Sequence, residues 1–197
     1  VTVSGGEPLL HKEFVAELLS KCKERGISTA VETAGFIPWE NIEAVYRHVD
    51  TFLFDLKLYS RAKHIEWVGA DNSLIQENIR KLTDLHDNVV IRIPLIPGVN
   101  DSDSEFEKMM AFVKSLRKIN SVHILPFHQF GSNKYELMGK KYEMSDWPDD
   151  NESGIERCKK IASDYGFRVC VGGTGFKTDR KVEEGEENKL AESFIYM

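Results

Sequence analysis

Short β-rich runs alternate with amphipathic helical stripes along most of this chain, and that alternation leaves few folds open to it. Apolar side chains recur with helical spacing at Phe14, Val15, Leu18, Leu19 and Cys22, between about Lys12 and Arg25, with Gly26 as a natural stop. Further stripes are Ile42-Val45-Tyr46-Val49, Leu74-Ile75-Asn78-Ile79-Leu82, Phe106-Met109-Met110-Val113-Leu116 and Ile155-Cys158-Ile161-Ala162-Tyr165. Ser102, followed three residues on by Glu105, has the pattern of a capping box at the start of the fourth stripe. Between the stripes lie β-rich runs at Val1–Ser4, Ile27–Glu32, Thr51–Leu56, Val89–Ile93, Val122–Phe127 and Phe167–Val171. Strands that alternate with helices are parallel and joined by right-handed crossovers, so the expectation is an α/β sheet or barrel. Residues 128–150 break the pattern and read as a long loop. Residues 1–175 are taken as one domain and 176–197 as a charged tail, with Glu183, Glu184, Glu186 and Glu187 close together.

At 197 residues with 41% apolar side chains, the chain is long enough to bury a core. Its formal charge of −6 argues against broad attraction to nucleic acid or an anionic membrane. No apolar run approaches the length of a membrane span, and no signal-peptide pattern opens the chain. Cys22, Cys158 and Cys170 are too scattered for a metal loop or a disulfide framework, which fits reduced thiols in the cytoplasm. The chain begins at Val1, without an initiator Met and inside an apolar run, so it reads as a fragment. Val1–Ser4 is then an exposed sheet edge, and a dimer formed through it an artefact of truncation.

The polar residues gather at one end of every strand. Val1–Ser4 runs into Gly5-Gly6-Glu7-Pro8, Ile27–Val31 into Glu32-Thr33-Ala34-Gly35, and Thr51–Phe54 into Asp55-Leu56-Lys57. The run at Val89–Ile93 contains Arg92 and leads to Pro97-Gly98-Val99-Asn100-Asp101, while Val122–Phe127 ends at His128. Strand alternation puts Leu53, Asp55 and Lys57 on one face. An internal ion pair accounts for Asp55 and Lys57, and a snorkelling or paired side chain for Arg92, if each is taken alone. Repeated at strand after strand, such groups form a ring of mixed charge that suits a small zwitterion, with Glu7 or carbonyls for its ammonium and Lys57 or Arg92 for its carboxylate. Dinucleotide, Walker and nucleophile-elbow motifs are absent, and His11, His48 and His86 read as surface or structural residues.

In this order, the strand-end motifs resemble those of the glycyl-radical-enzyme activating enzymes, a group of radical S-adenosylmethionine proteins typified by the pyruvate formate-lyase activating enzyme. The resemblance runs from residue 1 to about 145. It includes Arg92-Ile93-Pro94-Leu95-Ile96-Pro97-Gly98-Val99-Asn100-Asp101, Leu125-Pro126-Phe127-His128, the spacing of His64, Gly69 and Asn72, and Gly131-Ser132-Asn133-Lys134-Tyr135 before Gly139. It implies a partial (β/α) TIM-like barrel, truncated here to about five parallel strands plus a C-terminal strand. The family's C-x3-C-x2-C loop, which holds a 4Fe-4S cluster, is absent from this sequence. The implied chemistry is reductive cleavage of S-adenosylmethionine to a 5′-deoxyadenosyl radical, which takes a hydrogen from a glycine of a partner such as pyruvate formate-lyase. Flavodoxin or ferredoxin would supply the electron.

Carried over by position, the resemblance implies that Gly5, Gly6 and Glu7 receive the methionine ammonium. Lys57 and Arg92 lie toward its carboxylate and sulfonium, Asp55 orders them, and His128 approaches the ribose. Glu32, Thr33 and Asp55 correspond to a monovalent-cation site, with Glu32 where well-known members carry Asp. The loop from His64 to Asn72 and the loop after His128 would admit the partner. No catalytic residue is assigned within the chain, which alone is expected to be inactive. The alternatives are a radical S-adenosylmethionine enzyme with another substrate, and a non-catalytic barrel that binds a nucleotide or a protein.

Overall fold

The computed structural model describes residues 1–128 and 151–172, together with Leu137, Gly139, Met144 and Trp147. The tail at 176–197 and most of the loop at 128–150, including its Gly131–Tyr135 motif, lie outside the described residues. Among the described residues, six strands form one parallel sheet: β1 (Thr2–Val3), β2 (Ala30–Thr33), β3 (Thr51–Asp55), β4 (Val89–Leu95), β5 (Ser121–Pro126) and β6 (Arg168–Val171). Their order across the sheet is their order in the chain, with β1 and β6 at the edges. Six α-helices accompany them: α1 (Lys12–Glu24), α2 (Trp39–Glu43), α3 (Arg61–Val68), α4 (Ser73–Leu85), α5 (Asp103–Ser115) and α6 (Glu152–Asp164). Crossovers of one hand between successive neighbours put all the helices on the same face, the winding of an open section of barrel.

Strand periodicity makes the two faces chemically different. Along β2, β3 and β4 every second residue is fully buried, including Val31, Phe52, Phe54, Ile91 and Ile93, all at or near 0% exposure. These side chains pack with Leu19, Ile79, Leu82, Phe106, Met109 and Val113 of the helices in one core. Full burial of each large apolar side chain contributes about 1.5–3 kcal/mol, so this face carries most of the stability. The intervening residues, among them Glu32, Leu53, Asp55 and Arg92, are half-buried on the open face.

Several sequence expectations are modified. The stripe at Ile42–Val49 is a five-residue α2 and a separate 3-10 turn, Tyr46–His48. Phe14, which lines an open hollow with Val3 and Gly5, is 67% exposed, and only Val15, Leu19 and Cys22 of its stripe are buried. Ser102 does cap α5, but its side chain makes no capping bond. The buried Glu105 instead accepts from the backbone N–H groups of Tyr59 and Ser60, beyond β3. Of the expected loop from His64 to Asn72, the first part is helical and only residues 69–72 form a loop: His64 sits within α3, its Nδ1 2.7 Å from the Ala70 carbonyl.

Candidate functional site

Parallel strands bring all their C-terminal ends to one edge, and the polar strand ends meet there. Asp55 and Arg92 are in register on neighbouring strands, and His123 is in register with Arg92 on β5, so all three share the open face. The Arg92 guanidinium donates from Nε to Asp55 at 2.8 Å and from Nη1 to Glu32 at 2.7 Å, tying β2, β3 and β4 together. The hydroxyl of Ser4, just past β1, donates to the other oxygen of Glu32 at 2.6 Å. Four neighbouring strand ends are thus linked through one cation.

The environment drives the two carboxylates in opposite directions. Burial resists ionisation of Glu32, but the Ser4 hydroxyl and the Arg92 guanidinium outweigh it and hold its carboxyl below the ordinary glutamate value. At Asp55 burial wins over the attraction of Arg92 and Lys57, and the carboxyl is pushed up. For Arg92 the two carboxylates overcome the burial penalty and favour the charged form. His123 is driven toward the neutral imidazole by burial and then by the charge of Arg92.

Glu7 stands at the other pole of the edge. Its carboxylate accepts from the Thr33 hydroxyl at 2.9 Å, from the Ala34 N–H at 3.1 Å and from the Leu9 N–H at 3.3 Å, where it caps the 3-10 turn Pro8–His11. This fixes the Gly5-Gly6 loop, whose residues have φ of +94° and +43° with open space where a Cβ would stand. The pair serves backbone conformation and leaves the peptide groups approachable. Gly35 is glycine for a second reason: its φ is +69° and a Cβ there would meet the Phe54 ring at 2.0 Å. Lys57 follows β3 by two residues, half-buried, and His128 follows β5 by two, exposed. Lys57, Asp55 and His64 help line a mostly apolar cavity of about 300 Å³, with Phe36, Leu56 and Val68.

Of the residues expected from sequence, Glu32, Asp55 and Arg92 come together in direct contact, and Glu7 meets Thr33. Thr33 does not join Glu32 and Asp55. It lies one residue from Glu32, on the helix-covered face, 3% exposed. Sequence reasoning missed Ser4 and His123, and took in Asn100 only as part of the motif after β4; buried, Asn100 donates to the carbonyls of Lys57 and Pro94 and accepts from the Ile96 N–H, each at 2.7 Å. A polar residue within the apolar run Val122-His123-Ile124 was the available signal for His123.

These surroundings test the groups implied by the resemblance. A strand-end edge that carries the open Gly5-Gly6 loop after β1, Lys57 after β3 and Arg92 in β4 is of a chemistry that suits a small zwitterion such as S-adenosylmethionine. An iron-sulfur cluster does not fit: among the described residues no three His, Cys, Asp or Glu side chains converge as metal ligands. Cys22 and Cys158 are buried, and burial, helped by Asp101, pushes the Cys158 thiol up to about 12.

Comparison with known proteins agrees with the geometry. The radical SAM superfamily model matches residues 1–113, more than half of the 197. The trans-4-hydroxy-L-proline dehydratase activating enzyme of Clostridioides difficile is 39% identical over 176 residues, which cover 88% of this chain and 58% of that protein. The choline trimethylamine-lyase activating enzyme of Oleidesulfovibrio alaskensis is 34% identical over 87% of this chain and 56% of that protein. The chain thus spans little more than half the length of these relatives. A crystal structure of a domain of the pyruvate-formate lyase-activating enzyme from Bacteroides vulgatus superposes with a TM-score of 0.73 at 32% identity, covering 88% of this chain and 98% of that one. At 18% identity and a TM-score of 0.65, a radical SAM methyltransferase from Sphaerobacter thermophilus shares the fold. With its strand-end residues in family order on an open section of parallel barrel, this chain belongs to the radical SAM superfamily, within the group of glycyl-radical-enzyme activating enzymes.

Proposed function

We propose that this chain supplies the S-adenosylmethionine-binding part of an activase that installs a glycyl radical on a partner enzyme. The observation that supports the reading is the linked strand-end edge, where Arg92 ties Glu32 to Asp55 and Glu32 in turn holds Ser4, the residue before the Gly5-Gly6 loop. Reductively cleaved, S-adenosylmethionine supplies a 5′-deoxyadenosyl radical; the residues of this chain bind and orient it. Backbone groups at Gly5 and Gly6 receive the methionine ammonium, and Glu7 acts on it by fixing that loop. Lys57 and Arg92 face the carboxylate, Asp55 aims them, and His128 approaches the ribose. Holding these groups in advance removes part of the orientational cost of the reaction.

The partner is a glycyl-radical enzyme, pyruvate formate-lyase or one of the enzymes whose activases resemble this chain. Its glycine-bearing segment enters beside α3, where the apolar cavity next to Asp55 and Lys57 excludes water from the reacting groups. Flavodoxin or ferredoxin delivers the electron, and the cluster is held by residues other than those described. Reduced, free cysteines suit the cytoplasm.

The reading is tested in the complete iron-sulfur-reconstituted enzyme, by measuring S-adenosylmethionine affinity and the glycyl-radical electron-paramagnetic-resonance signal on a panel of partner enzymes. Lys57→Ala and Glu7→Ala are each expected to weaken binding about tenfold, the worth of one charge-assisted contact. Unchanged affinity in both removes them from the site, and absence of a radical signal on every partner counts against the activase.

A further inference from the structure

The monovalent-cation site implied by resemblance does not fit the side chains that would build it. Thr33 and Glu32 are consecutive in β2 and therefore project to opposite faces. The Thr33 hydroxyl bonds to Glu7, 2.9 Å from both carboxylate oxygens, on the side away from Asp55. What stands between Glu32 and Asp55 is Arg92. Its Nη1 lies 2.7 Å from Glu32, and its Nε and Nη2 each lie 2.8 Å from the same oxygen of Asp55. We propose that Arg92 is a resident cation, taking the position of an exchangeable alkali-metal ion and holding the two open-face carboxylates together without one.

Reach and charge both support this. Glu32 and Arg92 lie two strands apart, about 10 Å across the sheet. Only two long side chains meet over that span, so the length of Glu32 matters; an aspartate there would fall short by a methylene. The local charges also balance. Glu32 and Asp55 bring two negative charges, and Arg92 and Lys57 two positive ones, with Lys57 close enough to ease the ionisation of Asp55. No residual negative charge is left to draw an alkali ion from water.

The test uses the full chain without added S-adenosylmethionine, so its outcome is independent of the activase reading. Thermal unfolding is followed at constant ionic strength in tetramethylammonium, sodium and potassium chlorides, alongside the line width of the sodium nuclear-resonance signal. The wild-type midpoint is expected to move by less than about 1 °C between salts, with no saturable line broadening. Glu32→Asp withdraws the carboxylate from Arg92, and Arg92→Gln removes the cation. Each is expected to gain a saturable rise of about 3–10 °C in sodium or potassium, the size that a millimolar-affinity ion confers on a domain of this length. If Arg92→Gln does not fold, Glu32→Asp alone decides. A saturable midpoint rise or sodium broadening in the wild type overturns the proposal, as does the lack of any such rise in the folded variants.

Discussion

The two carboxylates that share Arg92 answer to pH in opposite ways, because burial outweighs the guanidinium at Asp55 but yields to it and to Ser4 at Glu32. Glu32, held below its ordinary range, adds stability above that range and loses it as pH falls through its lowered value. Asp55, pushed up by burial, takes a proton in the folded chain at a pH where the unfolded chain is still ionised. Its share of stability is therefore greatest in acid and is lost as pH rises through the raised value. Carbon NMR titration of the two carboxyls is expected to find Glu32 below and Asp55 above their ordinary values. In Arg92→Ala both should rise, since the guanidinium lowers each; a Glu32 that does not move would show that Ser4 alone sets its acidity. Taken singly, Asp55 and Arg92 read as part of an internal ion pair and as a snorkelling side chain; what the sequence offered was the repetition of polar groups at strand after strand. Their pairing with each other was not legible, because it depends on register across three strands, and register is not written in any single segment.

At the scale of elements, the loops that hold the site are fastened by buried asparagines. Asn72 donates to the carbonyls of Leu58 and Tyr59, Asn78 to those of Gly35 and Ile37, and Asn100 to those of Lys57 and Pro94. Each binds one strand-end loop to another element, and Glu105 does the same from α5 to the segment after β3. Asn100→Ala would take this partner from the part-buried carbonyls of Lys57 and Pro94 and from the Ile96 N–H, a loss of about 2–4 kcal/mol. Urea denaturation should show that loss, and ligand affinity should fall with it because Lys57 is released from β4; an unaltered unfolding midpoint would mean that water replaces the side chain at no cost. Helices and strands themselves were readable from periodicity. Asn78 lay in plain sight within an apolar stripe, whereas Glu105 mimicked a capping box, since a glutamate three residues after a serine serves a local cap or a distant loop equally well until the tertiary partner is known.

For the whole molecule, the decisive property is that one face of the sheet is sealed beneath helices and the other carries the polar network. The α/β class and the parallel strands followed from alternation, whereas their sequential order across the sheet followed only from the barrel that the resemblance implied. How far the barrel closes did not, because closure depends on strand tilt and stagger, which periodicity does not encode. The two-faced sheet also sorts the effects of mutation. A complete substitution scan along β2, β3 and β4 is expected to give two interleaved records: losses of soluble protein at Val31, Phe52, Phe54, Ile91 and Ile93, and, at Glu32, Asp55 and Arg92, losses of ligand binding that exceed any loss of yield. Equal losses of yield at both sets would deny the separation. If it holds, neighbouring codons in these strands answer to different selective pressures, and the open face can acquire new ligand chemistry one alternate residue at a time while the hidden face keeps the chain folded.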